Sequence, residues 1–431
     1  MTDDTAAPST DDAIIPADGR LITIDILRGL AILWVIVVHL WQAATFDVTV
    51  RRTYYERFWE RVRESEPLAA FAALWEIVFR MGDHGVTMFM ILSGLSLTMT
   101  ALRRGGSVRT WDFYRTRLRK LLLPYWAGWA LFIVTLALLA VYRVYADGTP
   151  FRNNFQYVGM ALLMSRDIAI QGLLIVPRGL SFQNAGESQP AALWFVLLMV
   201  QYYLLFPLLL PLLKRLKPVA FSALFLAISI GSSAWMIWAH GDIDRAHGYV
   251  WSDWLPFRSF EFALGMALGY VLVHEPGRLR RSLSPFPVIL GAVVAGVALH
   301  TTGTWLDFRN GYWNATAYPM VVIGLSAIMM TVICARPGFT LTSAPARVVA
   351  WVGTMSYAAL ITNESFRILN YYFISKGWLY SVGWWYFIVA LYVPLTVVLA
   401  YPLASVLGLL PKPPRPASPA PVTSAPALSE G

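Results

Sequence analysis

Three ionisable residues stand in the first apolar run of the chain, LITIDILRGLAILWVIVVHLWQ at 21–42: Asp25, Arg28 and His39. Charge is costly in lipid, so an ionisable group in a membrane-length helix is a candidate for function. The His39 imidazole can take a proton from a hydroxyl near neutral pH and return it to a leaving thiolate, the proton traffic that direct acyl transfer from a thioester requires. The Arg28 guanidinium can hold an anion through paired hydrogen bonds. Arg28 and His39 are almost three helical turns apart, so both project from one face, separated by about 16 Å along the axis. One helix face therefore links one membrane surface to a site near the other. Each residue also has a structural reading. His39 can be a hydrogen-bonded histidine in a helix interface, and Arg28 can pair with Asp25 three residues earlier.

The elements that must position these groups are membrane helices. The 431 residues are 57% hydrophobic and 14% charged, and apolar runs of about 20 residues recur from end to end. The chain reads as an all-α polytopic membrane protein with ten spans, at roughly 21–43, 84–102, 121–143, 191–213, 219–239, 255–274, 286–302, 316–334, 348–369 and 384–409. Basic residues then sort to one side: Arg103, Arg104, Arg109, Arg115, Arg117, Arg119 and Lys120, then Lys214, Arg215 and Lys217, then Arg278, Arg280 and Arg281. Those loops are cytoplasmic by the positive-inside rule, and both termini lie inside with them. The net charge of +9 is thus explained by topology, without a nucleic-acid partner.

Residues 1–19 are acidic, unlike a cleaved secretory signal, and 411–431 are rich in proline and small residues; both read as disordered tails around one domain at 20–410. The multi-pass pattern places the chain in a cell membrane, expected to be a bacterial inner membrane. Cys334 is the single cysteine, which excludes an intramolecular disulfide, and no histidine or cysteine spacing indicates a metal site.

Several segments resemble the integral-membrane acyltransferase 3 family, whose members move acyl groups onto extracytoplasmic glycans, antibiotics and envelope polymers. DILRGLAILWVIVVH sets Arg28 and His39 at the family's Arg-x10-His spacing. GVTMFMILSGLSL at 85–97 and FYRTRLRKLLLPYW at 113–126 are similar to two further family segments, and LWFVLLMVQYYLLFPLLL at 193–210, RSFEFALGMALGY at 258–270 and WVGTMSYAALITNES at 351–365 match more loosely. Two departures stand out. Met199 and Val200 occupy a region where many relatives carry a glutamate, and Asn363, followed by Glu364, stands where many carry a histidine.

The resemblance implies an O-acyltransferase that uses acyl-coenzyme A as co-substrate, binds no resident cofactor and acts on a hydroxyl of an extracytoplasmic carbohydrate or lipid-linked envelope acceptor. Arg28, with Arg115, Arg117, Arg119 and Lys120, would hold the charged donor; the four basic loop residues serve equally well as a topology determinant that binds anionic lipid. On the outer side, the ten-span reading brings Asp83, His84, Glu261, Asn363 and Glu364 to the level of His39. Glu261 or Glu364 would orient the imidazole. For Glu261, the spacing with Gly265 and Gly269 suggests a close helix contact that buries the carboxylate, and the alternative is an ion pair with Arg258. Asp83, His84 and Asn363 are acceptor-side candidates; His84 reads first as a solvated entry residue, and Asn363 and Glu364 can simply face water at a helix end. Gly94 after Ser93 reads as a packing position. Two other classes of function stay open: a carrier or flippase, against which the absence of paired broken helices counts, and a catalytically inactive family member.

Overall fold

In a computed structural model, the described residues are 22–45, 62–64, 74, 78–79, 81–148, 158, 194–240, 255–307, 314–334, 343–375 and 382–410. Both tails, most of the 144–190 connection and Ser252 lie outside them. Among the described residues there are helices and no strand. This follows from the medium: lipid offers backbone amides no partners, so each crossing must satisfy its own hydrogen bonds.

Helix α1 spans Ile22–Thr45, α2 His84–Arg103, α3 Thr110–Asp147, α4 Trp194–His240, α5 Leu255–His274, α6 Pro276–Ser282, α7 Phe286–Asp307, α8 Asn314–Cys334, α9 Ala344–Thr354, α10 Ser356–Ser375 and α11 Val382–Val406. A 3-10 turn at Met81–Asp83 leads into α2. Among the described residues, six helices are long and apolar enough to cross a membrane, and the bent α9–α10 pair makes a seventh if it is counted as one span. Their outer faces suit lipid: Val294 and Val297 on α7, Val134 and Leu138 on α3 and Leu208 on α4 are exposed apolar side chains.

Three local features depart from the simple reading of apolar runs. First, α3 begins at Thr110, so the basic cluster expected in a loop occupies its first turns, where Arg115, Arg119 and Lys120 are exposed and Arg117 is half-buried. Second, α4 is broken at Lys217, whose φ of 65° leaves the helical region just before Pro218. A proline excludes the α conformation at the preceding residue, so the two apolar runs meet at a kink. Third, the run expected as one span at 348–369 bends by 76° between α9 and α10, at Met355.

Glycines set the closest helix contacts. A Cβ on Gly265 or Gly269 would strike the Ile91 or Leu95 carbonyl, and one on Gly94 would strike that of Phe262. The four-residue glycine row and Gly94 thus bring α5 and α2 together backbone to backbone, as small-residue interfaces do. Likewise Gly29 abuts the Val349 carbonyl and Gly353 the Asp25 carbonyl, which seats the bent α9 against the N-terminal half of α1. The Tyr357 hydroxyl donates to the Leu121 carbonyl at 2.7 Å, tying α10 to α3. Cys334 is buried, in keeping with a small apolar core residue.

Candidate active site

His39 and α10 form the centre of the site. Glu364 Oε1 lies 3.3 Å from His39 Nδ1, and Asn363 Nδ2 lies 2.6 Å from the same nitrogen. Asn363 and Glu364 are therefore not at a water-facing helix end: α10 runs on to Ser375, and both side chains are buried, Glu364 at 1% exposure. The second carboxylate oxygen of Glu364 is 3.3 Å from Arg367, one turn further along the same helix face. The Tyr392 hydroxyl of α11 donates to Asn363 Oδ1 at 3.1 Å. Asn363 and Glu364 thus meet the imidazole at Nδ1, backed by Tyr392 and Arg367, while the His39 side chain keeps 15% exposure.

The two neighbours of Nδ1 suit different states of the ring. A proton on Nδ1 is accepted by the Glu364 carboxylate and leaves Nε2 with a basic lone pair; a lone pair on Nδ1 instead accepts from the Asn363 amide. The first state is the one a general base needs. A carboxylate at this distance from Nδ1 can also stabilise an imidazolium, were Nε2 to take a proton.

Glu261 is in a different cluster. Fully buried, its Oε1 accepts from the Thr87 hydroxyl at 2.9 Å and pairs with Arg258 at 3.1 Å. Tyr318 of α8 bonds to both Glu261 and Arg258, and the guanidinium carbon of Arg258 lies 4.6 Å from the Tyr318 ring centroid. These contacts match the ion-pair alternative and join α2, α5 and α8; none of them reaches His39.

His84 is not a solvated entry residue. It is buried, with Nδ1 2.9 Å from His300 Nε2 of α7, and the Trp34 ring packs near both imidazoles at 6.4 and 6.2 Å between centroids. Asp83, half-exposed, stands 4.0 Å from His84. His300 was overlooked in the sequence, although a lone histidine in the apolar run of 286–302 was signal enough. Arg367, at i+3 from Glu364, was equally discoverable; Tyr318 and Tyr392 were not, since nothing in their surroundings along the chain distinguishes them from interfacial tyrosines.

On the N-terminal half of α1, Arg28 donates to the Ser96 hydroxyl at 3.2 Å and lies 3.8 Å from Asp25. It remains about one-third exposed, so the local pairing leaves part of the side chain accessible. Among the described residues, no group of three or more histidine, cysteine, aspartate or glutamate side chains is arranged to hold a metal ion.

A bundle of apolar helices with a buried histidine–carboxylate pair defines a multi-pass membrane protein equipped for acid–base chemistry. The family model described as an acyltransferase domain, acyltransferase 3, matches residues 21–405, and the chain belongs to that family. No curated protein and no solved structure matches it. The matched segment takes in α1 through nearly all of α11, and with it every candidate residue discussed above.

Proposed function

We propose that the protein transfers an acetyl or other short acyl group from cytoplasmic acyl-coenzyme A to a hydroxyl of an extracytoplasmic carbohydrate or envelope acceptor. The observation that carries this reading is the contact between His39 and the buried Glu364 carboxylate. His39 Nε2 removes the proton of the acceptor hydroxyl as its oxygen attacks the thioester carbonyl; the tetrahedral intermediate collapses, the carbon–sulfur bond breaks, and the imidazolium returns its proton to the coenzyme A thiolate. Glu364 holds the Nδ1 proton and offsets the charge on the ring during the interval. Of the two carboxylates considered for that role, Glu364 is the one beside His39.

A ten-span topology supports this division of labour. Counting the two halves of α4 separately, taking α9–α10 as one broken span, and adding α5 and α11 to the remaining five long helices makes ten, with both termini on the cytoplasmic side. The basic start of α3 and Arg28 then face the donor, and His39, Asp83 and His84 lie toward the acceptor. One observation favours the carrier reading instead: the α9–α10 bend is a broken helix beside α1, although carriers usually break helices in symmetric pairs.

Protein reconstituted in liposomes and supplied with acetyl-labelled coenzyme A tests these readings together. Thioester cleavage with label passed to an added or co-purified acceptor, abolished in His39→Ala at equal folded protein, is the expected result. A loss of about 100-fold or more in that variant fits general base catalysis. Transport of an envelope precursor without thioester cleavage would select the carrier, and neither activity would point to an inactive relative.

A further inference from the structure

A cavity of about 100 Å³ lies between α2, α3, α4 and α10. One wall is a single face of α4, where Phe195, Met199 and Tyr203 recur every four residues. The opposite wall includes Leu360 of α10, one helical turn or about 6 Å inward of Glu364 on the same face. Phe89 of α2 closes a side, its ring 6.3 Å from that of Phe195. No lining residue carries a charge, and the hydroxyl-bearing Ser93, Tyr203, Ser356 and Tyr357 stand among the apolar side chains. Arg28 is nearby, donating to Ser96, three residues along α2 from the lining Ser93.

We propose that this cavity receives the acyl chain of the donor, restricts it to an uncharged chain of about four heavy atoms or fewer, and takes its length limit from Met199 and Leu360. The assignment rests on the acyl-transfer reading for its occupant. Size sets the limit, because an apolar cavity of roughly 150 Å³ is needed to accept benzene. Chemistry sets the class. A sugar ring, with more heavy atoms than benzene, exceeds the volume, and a carboxylate-tipped chain would bring a charge to a site where no lining residue carries the opposite one. A short acyl chain packs against Phe89, Phe195, Met199 and Leu360, and its thioester carbonyl can accept from one of the lining hydroxyls.

The test measures binding without turnover. S-propyl- and S-octyl-coenzyme A are thioethers with no carbonyl to attack, and their affinities for the full chain in lipid nanodiscs can be compared by calorimetry. Wild type is expected to bind the propyl form at least about tenfold more tightly, in line with what a misfit of a few methylenes costs. Met199→Ala should bring the two within about threefold. Leu360→Ala enlarges the cavity from the facing wall and gives the same answer if the first variant does not fold. Equal affinities in wild type, or an unchanged ratio in the folded variants, would overturn the assignment even if acetyl transfer proceeds. A clear propyl preference without any acetyl transfer would overturn the transfer reading and leave the cavity assignment standing. Failure of wild type to bind either thioether would remove both.

Discussion

Replacing Glu364 by glutamine keeps the shape of the side chain and removes one charge, which isolates the electrostatic part of its contact with His39. At the 3.3 Å separation and an effective dielectric of about 20, an imidazolium and a carboxylate attract by about 5 kcal/mol. Arg367, a cation on the other carboxylate oxygen, opposes this attraction, and its offset is taken as about half for an order-of-magnitude figure. About 2–3 kcal/mol of stabilisation then belongs to the imidazolium and not to the neutral ring, so Glu364→Gln should slow acyl transfer by about 30- to 150-fold. The donor's Michaelis constant should change little, because the interaction strengthens only as the proton moves. Single-turnover release of coenzyme A from protein preloaded with acceptor in liposomes reads the chemical step directly. The variant also leaves Arg367 buried beside a neutral partner, so folded protein is to be quantified by thermal denaturation before rates are compared. A folded Glu364→Gln enzyme with wild-type single-turnover rate would refute the imidazolium argument. A matching loss in Arg367→Gln would show that the pair acts through positioning and not through net charge.

Arg28→Ala should raise the apparent Michaelis constant for acyl-coenzyme A with a smaller effect on turnover, and Arg28→Lys should restore only part of the affinity because lysine lacks the planar fork; unchanged donor affinity with poor membrane insertion would assign Arg28 to its Asp25 pair alone. Glu261→Gln should lower thermal stability in detergent by about 3–5 kcal/mol, the usual cost of breaking a buried ion pair from one side. Loss of turnover at unchanged stability would instead return Glu261 to the chemistry. Single cysteines at Ser107 and Ser252 in a Cys334→Ala background test sidedness: a membrane-impermeant thiol reagent applied to intact cells should modify Ser252→Cys and spare Ser107→Cys. The reverse pattern would put His39 on the cytoplasmic side and remove the transmembrane route.

Membrane residence, the helical runs and the contacts within a helix were legible in the amino-acid sequence, because helical periodicity alone decides them. Asp25 with Arg28 and Arg258 with Glu261 are three apart and meet in the structure as that spacing requires. The glycine row at Gly265 and Gly269 likewise announced a close helix contact, though not that its partner is α2. The family segments identified the class of chemistry. What remained open was which helices become neighbours, since many packings bury the same apolar faces and lipid does not favour one partner over another. Tertiary structure alone brought Glu364 and Asn363 to His39 across 324 residues of chain, and His300 to His84 across 216. It also separated Glu261 from the histidine it was expected to serve: Tyr318, Thr87 and Arg258 engage its Oε1 instead. The bend at Met355 was hidden for a related reason. Gly353, Thr354 and Ser356 flank it, but residues of these types also occur inside straight helices, and it is the packing of α9 on α1 through Gly29 and Gly353 that turns the chain and aims Asn363 and Glu364 at the imidazole.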